Sequence, residues 1–239
     1  MSNPLRELAE VGQSFWLDNL SRELIESGEL RKLIDDDGLR GITSNPTIFE
    51  KAFSSGEAYD QEIARLAGEG LSVDQVFEVI AIEDIRSAAD MLRPVYDETG
   101  GADGFVSLEL PPSLAFDTDG SISEAKRLFG AVDRPNVMIK VPGTREGLPA
   151  IETLLTDGVN VNITLLFSLD GYINVADAYL RAMNARVAAN RPLNTVASVA
   201  SFFVSRVDTE VDGRLQQIID STSDSETRAK AENLIGKVA

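Results

Sequence analysis

Apolar positions along this chain fall alternately into stripes with helical spacing and short continuous runs. Leu5, Leu8 and Val11 are spaced for a short amphipathic helix over 4–12. Ser14-Phe15-Trp16-Leu17-Asp18 reads as a first strand with an acid at its end, and the spacing from Ser21 through Leu30 and Ile34 predicts a helix over 20–35. Gly41 to Pro46 is a second short strand, stopped by its proline. A helical region follows over about 48–96, and Ser72 with Gln75 three residues on forms a capping box that starts its second part. Val76, Val79, Ile80, Ala88 and Leu92 supply the apolar stripe, and Gly100-Gly101 closes the region.

From residue 104 the alternation is regular. Strands are predicted at 104–110, 136–143, 159–165 and 195–201, with helices over about 121–131, 145–156 and 168–189 and another starting near Val207. The last four residues, Gly236 to Ala239, read as lying within a helix. Alternating strands and helices imply parallel strands covered by helices, an α/β fold. Six strands are apparent, whereas a closed (β/α)8 barrel needs eight. No internal repeat or low-complexity segment interrupts this pattern.

The strand at 136–143, Asn-Val-Met-Ile-Lys-Val-Pro-Gly, is apolar on both faces and is broken only by Lys140. Alternation puts Lys140 on the side of Met138, with Ile139 and Val141 on the other. A lysine there must find a partner, reach solvent or lose its proton, and an unprotonated amine is a nucleophile able to form a Schiff base with a carbonyl. On this strand alone, a lysine whose stem lies along the apolar face while its head reaches water is the simpler account.

The other strands change that weighting. Parallel strands buried on both faces should be almost wholly apolar. Yet Asp18, Asn45, Glu109, Lys140, Asn162, Thr164 and Ser201 all fall at or near strand C-terminal ends, where an α/β barrel builds its active site. Asn160, Asn162 and Thr164 share one face of their strand, and Val161, Ile163 and Leu165 the other. One such residue alone would be read as satisfying a loop or a cap. Six strands each delivering one to a common rim call for chemistry. Lys140 is the candidate amine nucleophile, and Asp18 and Glu109 are the candidate proton-transfer groups, working through a water that Thr164 can orient. Asn45 and Asn162 suit substrate hydroxyls. Arg206, just beyond the sixth strand, suits a phosphate, with Ser201 as an added donor. Arg145 is a second possible anion contact, but a solvated loop position accounts for it more simply.

Composition narrows the chemistry further. The 239 residues contain neither cysteine nor histidine, which excludes thiol nucleophiles, imidazole-based triads and imidazole zinc sites. Carboxylates alone could still hold Mg²⁺, but no acidic cluster argues for such a site. A net charge of -17 argues against nucleic acid or an anionic membrane as partner. No apolar run approaches the roughly 20 residues that span a bilayer, and Met1-Ser2-Asn3-Pro4 has no signal-peptide character. The expected compartment is the cytoplasm.

Several motifs resemble those of the transaldolase family, in its bacterial branch. These are Gly41-Ile42-Thr43-Ser44-Asn45-Pro46-Thr47-Ile48-Phe49, Ile139-Lys140-Val141-Pro142, Asn160 through Ser168, and Ser201-Phe202-Phe203-Val204-Ser205-Arg206. Trp16-Leu17-Asp18 and Leu108-Glu109 stand in the expected order, and the resemblance covers essentially the whole chain. It implies a cofactor-free (β/α)8 enzyme of the pentose phosphate pathway. That enzyme moves a dihydroxyacetone unit from sedoheptulose 7-phosphate to glyceraldehyde 3-phosphate, giving erythrose 4-phosphate and fructose 6-phosphate. By the resemblance Lys140 forms the imine, Asp18 handles the hydroxyl proton during carbon–carbon cleavage, and Glu109 with Thr164 manages the catalytic water. Arg206 with Ser201 binds phosphate.

The chain is thus expected to be one barrel domain over 1–239, C-terminally incomplete, with a helical insertion over about 48–97. The seventh and eighth strands and a second phosphate-binding arginine are missing from it. A six-stranded sheet leaves two apolar edges, which implies weak or no activity unless another polypeptide completes the barrel. Oligomeric state stays open. Two other functions also remain: a Schiff-base aldolase that releases a free small ketone, and a sugar-phosphate-binding fragment without turnover.

Overall fold

The computed structural model describes residues 3–54 and 57–238. It opens with helix α1 (Pro4–Glu10), capped by Asn3, followed by strand β1 (Trp16–Leu17). The predicted helix over 20–35 is two helices, α2 (Arg22–Glu26) and α3 (Glu29–Asp35), because Gly28 takes a left-handed φ of 80° that reverses the chain between them. Strand β2 (Gly41–Thr43) leads into a helical region of three pieces: α4 (Pro46–Ser54), α5 (Asp60–Gly68) and α6 (Val73–Glu98). The predicted capping box at Ser72 and Gln75 starts α6, with both of its hydrogen bonds made.

The regular alternation then follows. Strand β3 (Phe105–Glu109) precedes α7 (Thr118–Val132), which starts earlier than the apolar spacing suggests because the Asp117 side chain caps it. Strand β4 (Val137–Pro142), helix α8 (Gly147–Asp157), strand β5 (Val161–Leu166) and helix α9 (Leu169–Ala188) come next. Strand β6 (Ser198–Phe202) begins three residues later than expected. The buried guanidinium of Arg186 gathers Pro192 O, Thr195 Oγ1 and the carbonyls of Leu155 and Thr156, which fixes 192–195 as a turn. Helix α10 (Val204–Ser221) starts directly after β6, and α11 (Ser225–Leu234) follows. Residues 236–238 are not helical as expected: α11 stops at Leu234, and Gly236 has a left-handed φ of 68°, while Ala239 lies outside the described residues.

The six strands form one parallel sheet in sequence order, β1 through β6, a partial (β/α)8 architecture. Each strand pairs with the next, and the register places Glu109, Lys140 and Asn162 side by side across β3, β4 and β5. The core lies between the sheet and the surrounding helices, where Ile42, Val106, Ile139, Val141 and Ile163 meet Ile85, Leu92, Leu128, Leu154 and Val175. One strand departs from simple alternation. Leu165, expected on the face of Val161 and Ile163, has φ 62° and sits in an irregularity between Ile163 and Leu166, half exposed. The β6 side also carries apolar side chains on its surface, including Leu169, Ile173 and Leu180 of α9, and α10 has no buried residue.

Candidate active site

Every residue of β4 is buried, so the ammonium of Lys140 has to be met by protein. Lys140 is 6% exposed. Its Nζ lies 2.9 Å from Glu109 Oε2 on the neighbouring strand and donates to Ser44 O at 3.1 Å. Ser44 closes β2 on the other side, fully buried, with its hydroxyl donating to Ser107 O at 2.8 Å. The lysine therefore sits between the ends of β2, β3 and β4 instead of reaching water along the strand face.

A second polar belt runs beneath it. Asn162 Nδ2 donates to Ser107 Oγ at 3.0 Å, and Ser201 Oγ donates to Asn162 Oδ1 at 2.7 Å, tying β3, β5 and β6 together. On the far side Thr43 Oγ1 donates to Asp18 Oδ1 at 2.5 Å, which orients the carboxylate just past β1. Asn45 Oδ1 accepts from Ile48 N at 3.0 Å and so caps the start of α4. Its Nδ2 makes no hydrogen bond with another described residue. Arg206, at the start of α10, lays its guanidinium 4.7 Å from the Phe203 ring centroid, and Phe203 stacks on Phe167 with centroids 5.0 Å apart.

Asp18, Asn45, Glu109, Lys140, Thr164, Ser201 and Arg206 all line one cavity of about 620 Å³ at the C-terminal end of the sheet. Residues from six strand ends thus converge as the pattern of polar positions required. Asn162 is the exception. It is fully buried and does not line the cavity; Ser107 and Ser201 occupy its amide. Direct contact between Asn162 and a substrate hydroxyl is therefore not available in this arrangement, and its place is as a brace behind Lys140. Arg145 is exposed and does not line the cavity, in keeping with a solvated loop arginine.

Sequence reasoning overlooked several members. Thr43 orients Asp18, Lys51 and Phe203 line the cavity, and Ser44 offers its carbonyl to Lys140. Ser107 was legible, since it stands two residues before Glu109 and shares its face. The Ser44 carbonyl was not, because no side-chain pattern reports a main-chain acceptor. Among the described residues, no group of three or more carboxylates gathers as a candidate metal site.

The arrangement combines a buried amine, a carboxylate within proton-transfer distance, a second carboxylate across the cavity and a guanidinium near its mouth. Such a set suits amine attack on a carbonyl carried by an anionic substrate.

Comparison with known proteins agrees with this chemistry. Residues 15–237 match the family model described as Transaldolase/Fructose-6-phosphate aldolase. The transaldolase of Trichodesmium erythraeum (strain IMS101) is 48% identical over 239 residues, covering 100% of this chain and 63% of the relative. Transaldolase 2 of Nostoc sp. (strain PCC 7120 / SAG 25.82 / UTEX 2576) is 47% identical over 238 residues, 99% of this chain and 62% of the relative. The transaldolase of Thermobifida fusca (strain YX) is 52% identical over 218 residues, 91% of this chain and 59% of the relative. The chain spans about three fifths of the length of these curated relatives. With the match running over nearly its whole length, the chain belongs to the transaldolase/fructose-6-phosphate aldolase family.

Proposed function

We propose that this chain carries the Schiff-base site of a transaldolase. In this reading a dihydroxyacetone unit passes between sugar phosphates, from sedoheptulose 7-phosphate to glyceraldehyde 3-phosphate. The observation that carries it is the pair inside the cavity: the Lys140 amine with Glu109 Oε2 at 2.9 Å.

The steps follow from the residues. Glu109 takes the proton that Lys140 sheds, and the free amine attacks the substrate carbonyl. Water leaves the carbinolamine as the imine forms, with Glu109 and Thr164 holding that water. Asp18 accepts the proton of the substrate hydroxyl as the carbon–carbon bond breaks, releasing an aldehyde and leaving an enamine on Lys140. The enamine carbon then adds to the acceptor aldehyde, and hydrolysis frees the lysine. Arg206 holds the phosphate, joined by Ser201 once its hydroxyl turns from Asn162 Oδ1 to the ligand, and Asn45 offers its Nδ2 to a substrate hydroxyl. No step uses a cofactor. The net charge of -17 supports a sugar-phosphate enzyme with no nucleic-acid or anionic-membrane partner, which the proposal places in the cytoplasm.

A second reading, an aldolase releasing free dihydroxyacetone, draws support from the matched family, whose description names both activities. The test is to incubate the protein with fructose 6-phosphate, with and without erythrose 4-phosphate, alongside Lys140→Ala. Sedoheptulose 7-phosphate made only with the acceptor supports transfer, and acceptor-independent dihydroxyacetone supports the lyase. Binding without either product marks a sugar-phosphate-binding chain without turnover.

A further inference from the structure

The strongest buried charge network outside the cavity surrounds Arg22, the first residue of α2 and only four residues past Asp18. Its Nε and Nη2 both donate to Asp84 Oδ1, at 3.1 and 3.0 Å, and its Nη1 pairs with Glu62. Its main-chain N–H donates to the Tyr59 hydroxyl at 2.6 Å, and that hydroxyl donates to Asp84 Oδ2 at 2.8 Å. The guanidinium also lies 4.9 Å from the Tyr59 ring centroid, with Glu83 at 3.7 Å. Tyr59 and Asp84 are 1% and 2% exposed. Burial pushes the Asp84 carboxyl up, against the opposing pull of Tyr59 and Arg22, so Asp84 depends on these partners.

This network stands beside the shortest strand of the sheet. β1 is two residues long and is paired only with β2 among the described residues, so the ladder ends before Asp18. Among the described residues, Asp18 has one hydrogen bond, accepted by its carboxylate from Thr43, and none at its backbone. The backbone from 18 to 22 is held by Leu20, fully buried, and by Arg22 clamped at side chain and main chain to α5 and α6. Resting on the Schiff-base reading above, we propose that Arg22 is a positioning residue for Asp18. The Arg22–Tyr59–Asp84 clamp fixes the β1–α2 segment, so that the carboxylate sits where the hydroxyl proton must be taken.

The test compares wild type with Arg22→Lys, Arg22→Met and Tyr59→Phe, the last removing one hydroxyl while keeping the ring. Two readouts are taken: hydrogen–deuterium exchange of the peptides covering residues 14–24 and of β4, and single-turnover reaction with fructose 6-phosphate. The reaction is followed as borohydride-trapped imine and, separately, as released glyceraldehyde 3-phosphate. The expected result is faster exchange confined to 14–24, unchanged imine formation, and aldehyde release slowed roughly ten- to hundredfold, with Arg22→Lys between wild type and Arg22→Met. Exchange at 14–24 equal to wild type overturns the proposal. So does exchange that rises equally in β4, or imine formation and release falling together, since either describes a general stabiliser. If wild type forms no imine, the failure belongs to the Schiff-base reading, and the exchange pattern alone decides whether Arg22 anchors the Asp18 segment.

Discussion

Glu109 and Lys140 are direct partners in the β3–β4 register, and their charged groups meet at 2.9 Å inside the cavity. Parallel pairing and a two-residue side-chain period put both on the inward face, so the contact follows from register and not from loop conformation. In the proposed mechanism the Lys140 amine must lose its proton, and the carboxylate on the adjacent strand is the acceptor that reading assigns.

Replacing Glu109 with Gln keeps the shape and removes the acceptor. The variant should form the Lys140 imine about 10²–10⁴ times more slowly, read by quenching with borohydride at timed intervals, and its far-UV spectrum should match wild type. An unchanged rate would assign the proton to another group.

Gly41 stands where β2 passes the Trp16 ring. A Cβ there would lie 2.4 Å from two ring atoms, so the ring and with it β1 must shift. Gly41→Ala should cost about 1–3 kcal/mol, seen as a lower urea midpoint, with altered emission from the single tryptophan.

Asn162→Ala removes both bonds of the buried belt and leaves Ser107 and Ser201 without this partner. A loss of about 1–3 kcal/mol is expected, again by urea denaturation. A much smaller effect would show that the two serines find other partners at little cost.

The ion pairs on the outer helices make stability depend on acid. The hydrogen bond from Arg134 is the largest influence holding Asp90 below its ordinary value of 3.8. A carboxyl whose folded value is lowered stabilises the protein above its unfolded value and stops doing so as pH falls through the folded one. This pair is exposed, at 31% and 54% of its side chains, so about 0.2–1 kcal/mol is expected. Arg134→Ala should lower Tm by about 1–3 °C at pH 7, and the gap should close as pH drops below 3.8. A gap that persists at low pH would mean that packing of the Arg134 stem, not its charge, matters.

Much of the site was legible because buried parallel strands are expected to be apolar, so Lys140, Glu109 and Thr164 stood out by residue type alone. Strand β4 occupies Val137–Pro142 inside the predicted 136–143 for the same reason. Helix breaks were unevenly legible: the apolar stripe continues across Gly28, where only the left-handed φ marks the turn, whereas the Ser72 capping box announced the break that follows Gly70. Alternation assigned Asn162 to the right face, yet it cannot report that hydroxyls on two other strands engage both ends of its amide. The Arg22 clamp was hidden for a different cause, since Tyr59, Glu62 and Asp84 are distant in sequence and each resembles an ordinary helix residue.

The measurement that bears most directly on the account is borohydride trapping with fructose 6-phosphate, read by intact mass and peptide mapping, with Lys140→Ala in parallel. Borohydride turns an imine into a stable secondary amine, so the result does not depend on full turnover. The account predicts one adduct, on Lys140, absent from the variant. An adduct on another lysine, or none in a folded protein that binds the sugar phosphate, would contradict it.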